Sequence, residues 1–434
     1  MSKIRLFGTS SGYVEIAPAA AASNNTLTAP STVGEIIAKD AAGAIGITSM
    51  KASNVNVGAA VTITESGIEA SGIGITCANI NGTQIGGRRN LVINGAMTIA
   101  QRGTSSTTAG MYTVDRFSYA WSGHDEAPTQ AQGSVASGTT PYTEGFRKSY
   151  KVTNGNQTSG AGASDILYFE HHMEAQDIAN SGWNYTSSTS FITLSFWVKS
   201  SVSQDFKGYV RTPDGSSHTY AYSTGTLSAN TWTKIVKTIP GNSNLTIDND
   251  TGQGFQIYLW PYIGTTYTDA GVTEDAWTSY SSSARTPVSD TSWWTTNDAT
   301  FEVTGFQLEV GSQATPFEHR QHGEEVRLCQ RYYQKYIGPR LRGVIGSGSA
   351  SINRMGMTLL VEMRANPTAT FSGNQSLYDG GGTATMTAIA APYVDTVSFE
   401  CDATISGNLN NGSGSCVTAY LDGSEGTLEL NAEL

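Results

Sequence analysis

The 434-residue chain carries 36 Asp and Glu against 25 Lys and Arg, a formal net charge of −11, and only 14% of its residues are charged. That balance excludes the basic stripe of a nucleic-acid binder and disfavours electrostatic adhesion to anionic lipid. With 48 Gly, 20 Tyr and abundant Ser, Thr and Asn, the composition favours short β-strands and many turns over helices.

The opening MSKIRLFGTSSG lacks the apolar core of a signal peptide, and no run reaches membrane-spanning length. Synthesis in a cytoplasm, no export by that route and no membrane insertion are therefore expected. Residues 1–89 are poor in aromatics and rich in Ala, Gly, Ser, Thr and Asn. Small β-branched residues alternate at Val55–Gly58, Val61–Thr64 and Ile73–Thr76. Strands this short and small-sided cannot bury enough apolar area within one chain. Three identical chains that wrap together can pool their apolar faces, so the region reads as an intertwined trimeric shaft. Ala17–Ser23 would be its flexible approach. The alternative is a disordered low-complexity arm.

From residue 90 to 320 aromatics appear in quantity. Strands are predicted at Leu91–Ala100, Phe146–Thr153, Asp165–Glu170, Phe191–Ser200, Phe206–Thr212, Thr231–Thr238, Gly254–Tyr262 and Thr300–Val310. Separated by Gly- and Asn-rich turns, they make an antiparallel sandwich of jelly-roll type. In Phe191–Ser200 the set Ile192, Leu194, Phe196 and Val198 forms a core face. Trp197, Trp232 and Trp260 sit in strand patterns and read as core. Trp277, Trp293 and Trp294, with Tyr267 and Tyr280, lie instead in a long hydroxyl-rich segment before the last strand. Exposed rings among hydroxyl and amide groups are what stacks on a pyranose face, so these five are the candidate glycan-binding residues. Burial, or contact with a neighbouring subunit, is the competing explanation.

Chemistry is poorly supported. His171 and His172 are adjacent and must point to opposite faces of a strand, so they cannot chelate one ion together. Carboxylates at Asp125-Glu126, Asp269 with Glu274-Asp275, and Asp290 with Asp298 sit in no catalytic pattern. No nucleophile elbow or phosphate loop is present. No enzyme activity, cofactor or metal is expected. The turns Asp248–Asp250 and Asp269–Asp275 could hold calcium, but Asx turns are the plainer reading. Cys77, Cys329, Cys401 and Cys416 are dispersed and read as reduced. Cys401 and Cys416 could still face each other across a hairpin.

Phe301–Val310 reads as a half-buried strand kinked at Gly305, ended by Pro316. From Gly323 the period becomes helical, and Val326, Cys329, Tyr333 and Tyr336 form a narrow seam. So short a helix needs packing, either three copies on an axis or one capping the sandwich. Those four residues are the candidate oligomer interface. Residues 338–434 carry seven more short strands, among them Thr368–Ser372, Thr396–Cys401 and Gly426–Asn431, which form a smaller sandwich. The expected fold is all-β: shaft (1–89), central jelly roll (90–320), linking helix (321–337) and terminal β-sandwich (338–434).

The segments FQLEVGSQATPFEHR and EEVRLCQRYYQKY resemble a signature of bacteriophage tail-fibre and related virion proteins. NLVINGAMTIAQRGTS (90–105), YTVDRF (112–117), LYFEHHMEAQDI (167–178), FITLSFWVKSS (191–201) and VEMRANPTATFSG (361–373) resemble other parts of the same module. The central segment is also similar to carbohydrate-binding jelly rolls, through its TWTKIVKTI run. The resemblance implies a non-enzymatic virion component that is a homotrimer. Its N-terminus would dock on another tail or adaptor protein, and it would bind host surface glycan. A purely structural head, collar or decoration fibre, and a glycan depolymerase, are the alternatives.

Overall fold

The computed structural model describes residues 4–7, 13–16, 79–80, 83–84, 88–345, 351–373, 376–378, 383–406, 416–420 and 426–434. The strands expected at 55–58, 61–64 and 73–76, and Cys77, lie outside them. The chain forms two compact units, Met1–Ile75 and Thr76–Leu434. In the first, β1 (Ile4–Phe7) pairs antiparallel with β2 (Tyr13–Ile16). The second opens with β3 (Asn79–Ile80) paired to β4 (Thr83–Gln84).

The central strands are β5 (Ser105–Ser106), β6 (Phe117–Ser122), β7 (Thr129–Ser134), β8 (Lys148–Thr153), β9 (Ile166–Glu174) and β10 (Phe191–Ser200). They continue as β11 (Asp205–Thr212), β12 (His218–Thr226), β13 (Thr233–Pro240), β14 (Gln253–Ile263), β15 (Trp277–Ser279) and β16 (Thr300–Val310). Two six-stranded sheets result, in the orders β13-β10-β16-β8-β7-β5 and β15-β12-β11-β14-β9-β6. The fold is all-β, as composition and alternation predict. Ile192, Leu194, Phe196 and Val198 are all buried in the core between the sheets. There Phe196 stacks on Phe306 (4.5 Å), which in turn meets Phe169 from the opposite sheet (4.7 Å). Each such buried side chain contributes about 1.5–3 kcal/mol.

The kink in β16 falls at Gly305, with φ +67°. The β10–β16 register slips there, Ser195 facing Gln307 but Trp197 facing Thr304. A Cβ on Gly305 would lie 2.7 Å from the Phe146 ring. The predicted strand Leu91–Ala100 is corrected to a turn. Asn94 and Met97 adopt positive φ (60° and 58°). The Asn94 amide donates to Ile99 O and Asp115 O and accepts from Ile99 N–H, all at 2.9 Å. This local side-chain bonding displaces a sheet ladder.

The motif segments meet in one hydrogen-bonded knot. Asn90 donates its amide to Phe306 O (3.0 Å) and accepts from Leu308 N–H (3.1 Å), while its own N–H donates to Glu318 (2.7 Å). Arg320 donates to Val92 O (3.1 Å), and the buried Glu309 accepts from Thr315 N–H (2.8 Å). The chain's entry into the sandwich is thereby tied to its exit.

The helices are short: α1 (Thr140–Thr143), α2 (Ala175–Ala179), α3 (Ser292–Thr295) and α4 (His322–Gln330). The seam helix is thus corrected at its C-terminal end, because Tyr333–Ile337 forms strand β17. The remaining strands are β18 (Arg340–Ile345), β19 (Ser351–Thr358), β20 (Thr368–Ser372), β21 (Ser376–Tyr378), β22 (Thr383–Val394), β23 (Ser398–Ser406), β24 (Cys416–Tyr420) and β25 (Thr427–Asn431). β17, β25 and β20 form a three-stranded sheet, and the other six pair in the circular order β18-β19-β23-β22-β21-β24. Leu428 and Leu430 of the first layer share a core with Met355, Phe399 and Cys401 of the second. β23 and β24 are not paired, so Cys401 and Cys416 do not face each other across a hairpin.

A polar latch joins this terminal module to the sandwich. Arg116 is buried, with its guanidinium 3.4 Å above the Tyr332 ring, and it pairs with Glu433 and donates to His172 O (2.6 Å). Glu174, at the end of β9, takes a bidentate pair from Arg331 (2.7 and 2.8 Å) and a bond from Tyr332 OH (2.6 Å).

Candidate functional site

The five aromatic candidates do not assemble into a platform. Trp293 and Trp294, on α3, are 0% and 1% exposed, and their indoles donate to Thr300 O (3.1 Å) and Gly160 O (2.9 Å). They are core residues, which corrects the expectation that they stack on sugar; one helical turn folds both rings inward despite the polar sequence around them. Trp277 is half-buried, donating to Pro240 O (2.7 Å) with its ring against Tyr220. Tyr280 lies under the Arg211 guanidinium (3.9 Å) and Tyr267 under Arg285 (4.7 Å). Of the proposed interface residues, two are corrected by their burial. Cys329 and Tyr333 are buried within the chain, Val326 is half-buried, and Tyr336 packs on the terminal core.

Period-two alternation instead decorates the outer face of the second sheet. Along β9, Leu167, Phe169 and His171 point inward while Tyr168, Glu170 and His172 point outward. His171 donates its Nδ1–H to Arg116 O (2.9 Å), and burial, with Arg116 beside it, pushes its pKa far down, so it stays neutral. His172 sits 3.2 Å from Tyr258 OH and 3.3 Å from Glu170. The two histidines face opposite ways, as strand geometry requires. Tyr209 stacks on Tyr258 (4.6 Å), and Tyr168 meets Trp260 (4.6 Å). Trp260 and Tyr209 are buried on this outer face by a second small cluster that includes Tyr267 and Val272. Sequence reading placed Trp260 in the core; it is buried, though not between the sheets.

Beside this face lies a cleft of about 660 Å³, within the roughly 300–1,000 Å³ typical of ligand sites. Ser118 and Glu170, cross-strand neighbours on β6 and β9, line one side. Tyr333, Thr370, Glu429 and Asn431 of the terminal sheet line the other. Arg102, Tyr112 and Glu433 also line it, with Gly110, Met111 and Leu434. The Tyr112 ring is 49% exposed. Arg102 stacks on Tyr333 (3.6 Å) and pairs with Glu433 (3.1 Å), while its other terminal nitrogen, 3.6 Å from Asp115, makes no hydrogen bond. The buried Tyr333 hydroxyl lies beside Glu429 without a hydrogen bond of good geometry. Burial lifts Asp115 behind Arg102 to about 6, against the pull of Arg102 and Gln101.

This arrangement offers a ring face, hydroxyl and amide groups, and planar charged groups that converge on one space, which is how a saccharide is held. Tyr112, Arg102 and Glu170 belong to quoted motifs, yet sequence reading assigned them no binding role. The available signal was alternation, which puts Glu170 and Tyr168 on the face away from the core. Among the described residues no group of three or more His, Cys, Asp and Glu side chains is placed to hold a metal. Asp250 and Asp269 accept from Gly252 N–H (2.8 Å) and Gly271 N–H (2.7 Å), both Asx turns.

No protein-family model matches the chain, and no curated protein does. Among solved structures, it is similar to the enzymatically active domain of tailspike protein 4 from bacteriophage CBA120. That alignment covers 51% of this chain and 21% of the other, at 10% identity and a TM-score of 0.27. The N-terminal cellulose-binding domain of Cellulomonas fimi β-1,4-glucanase C aligns over 50% of this chain and 99% of its own, at 11% identity and a TM-score of 0.24. The CBM22-1–CBM22-2 tandem domain of Paenibacillus barcinonensis Xyn10C covers 81% and 100%, at 11% identity and a TM-score of 0.24. Likeness at this level carries no argument, so function rests on the cleft itself.

Proposed function

We propose that the chain is a glycan-binding subunit of a phage tail fibre or related virion fibre, non-enzymatic and trimeric, that attaches the particle to a host surface. The observation that carries this reading is the 660 Å³ cleft with the exposed Tyr112 ring beside convergent polar groups. The motif resemblance across residues 90–373 supports the virion setting. The small-residue pattern of residues 1–89 supports a threefold shaft that docks on another virion protein. Adhesion would be reversible at each cleft and strengthened by three linked copies.

The test is binding of the purified full-length protein to susceptible host cells, with its mass in solution measured on the same sample. Saturable binding by a trimer, weakened at least tenfold by Tyr112→Ala without loss of fold, is the expected result. A trimer that ignores host cells moves the assignment to a structural fibre. Release of reducing ends from host glycan makes it a depolymerase, and a monomer removes the shaft.

A further inference from the structure

We infer that the cleft selects a saccharide bearing a free ammonium group, such as a de-N-acetylated hexosamine, and rejects uronic, sialic and phosphorylated sugars. This rests on the reading of the cleft as the glycan site. Three side-chain carboxylates line it, those of Glu170, Glu429 and Glu433, against one guanidinium, Arg102. That guanidinium is already committed to Glu433 and lies over Tyr333. Glu429 is paired with Lys335 (3.0 Å) and Glu433 with both Arg102 and Arg116. Glu170 differs, since its ion-pair neighbour is His172 at 3.3 Å, a group that is charged only when protonated. A partly exposed carboxylate without a fixed cation is therefore presented to the ligand, on the same cleft as an exposed tyrosine ring.

An ammonium fits both features: it donates three hydrogen bonds to carboxylates and is attracted to the face of a ring. A ligand carboxylate or phosphate would meet the Glu170 charge, while the cations nearby are already paired with Glu429 and Glu433. The single arginine has its two terminal nitrogens at Glu433 and, 3.6 Å away, Asp115, and so offers no bidentate fork. The Arg102 nitrogen and the Tyr333 hydroxyl that lack a well-formed hydrogen bond are nine-tenths buried behind the lining, beside Asp115 and Glu429.

The experiment is isothermal titration of the full-length protein with three probes: a chitosan tetramer, the N-acetylated chitin tetramer and a tetragalacturonate. The chitosan tetramer is expected to bind at least tenfold tighter than the chitin tetramer, with no binding of tetragalacturonate. Glu170→Gln should erase that preference at an unchanged unfolding temperature. Tyr112→Ala should weaken both amino-sugar probes while leaving the ratio above one. Tetragalacturonate binding as well as chitosan, or a preference that survives Glu170→Gln, overturns the inference and leaves the glycan reading intact. Binding of none of the three by a protein that does bind host glycan also overturns it. Failure with host glycan as well overturns the reading and the inference together.

Discussion

Tyr112 and Trp293 show how far exposure outweighs residue type. Both are aromatic and both lie among small polar neighbours, yet one ring is half in water and the other fully enclosed. Trp293→Ala should cost about 3–5 kcal/mol of stability, through the cavity and the lost Thr300 bond, read as a lower denaturant midpoint. Tyr112→Ala should leave that midpoint within about 0.5 kcal/mol, since it removes little buried area. Two buried carboxylates make opposite predictions for pH. Asp115 rises from 3.8 to about 6 on folding, because burial penalises its charge. Its stabilising contribution is thus complete below pH 3.8 and lost as the pH climbs through 6, on the order of 3 kcal/mol at most. Asp115→Asn should flatten that decline in urea midpoints between pH 4 and 7. Glu174 shifts the other way: burial would raise it, but the bonds from Arg331 and Tyr332 prevail and hold it below the usual range. Its contribution is present above the ordinary glutamate pKa and fades in acid. Glu174→Gln should therefore destabilise most at neutral pH, with the gap to the parent closing as pH falls.

At the scale of elements, alternation decided what each strand offers to either side. The inward set of β9 builds the core, while the outward set supplies Glu170 to the cleft and Tyr168 to the ring cluster on the outer face. The β16 bulge is a second case. Gly305 supplies the positive φ that the slip in register needs and leaves room for Phe146. Gly305→Ala should cost roughly 1–2 kcal/mol from the backbone alone. Displacement of the Phe146 ring, about 1–3 kcal/mol of overpacking, adds to that. Differential scanning calorimetry would register both as a lower unfolding temperature. The α4–β17 boundary was misread because tyrosines at three/four spacing satisfy a helix template, whereas Tyr333–Ile337 pairs residue by residue with β25. Tyrosine fits a strand at least as well as a helix, and the long-range partner settled the choice.

For the whole second unit, the latch at Arg116 sets whether sandwich and terminal module behave as one body. Arg116→Ala leaves Glu433 with Arg102 alone and removes the cation over the Tyr332 ring. Loss of a buried, hydrogen-bonded charge costs about 3–5 kcal/mol, so the module should loosen. Sandwich and terminal module are expected to unfold together in the parent and in separate calorimetric transitions in the variant, with faster proteolysis near residues 331–337. One transition at an unchanged temperature would show that the latch is dispensable. Because Glu433 and Tyr333 also line the cleft, the same substitution should weaken glycan binding.

Local information was enough for the class of fold. Period-two alternation, sparse charge and glycine punctuation depend on near neighbours alone, and they located β10 and β16 to the residue. The candidate site was not legible in that way. Its lining comes from residues 102–118, from Glu170 and from 333–434, brought together by pairings and a latch that span over 300 positions. A ring's exposure is likewise a property of what packs on it. Trp293 and Trp294 in a serine- and threonine-rich stretch look exposed to any local rule, and only the folded neighbours bury them, whereas Tyr112 is left facing the cleft.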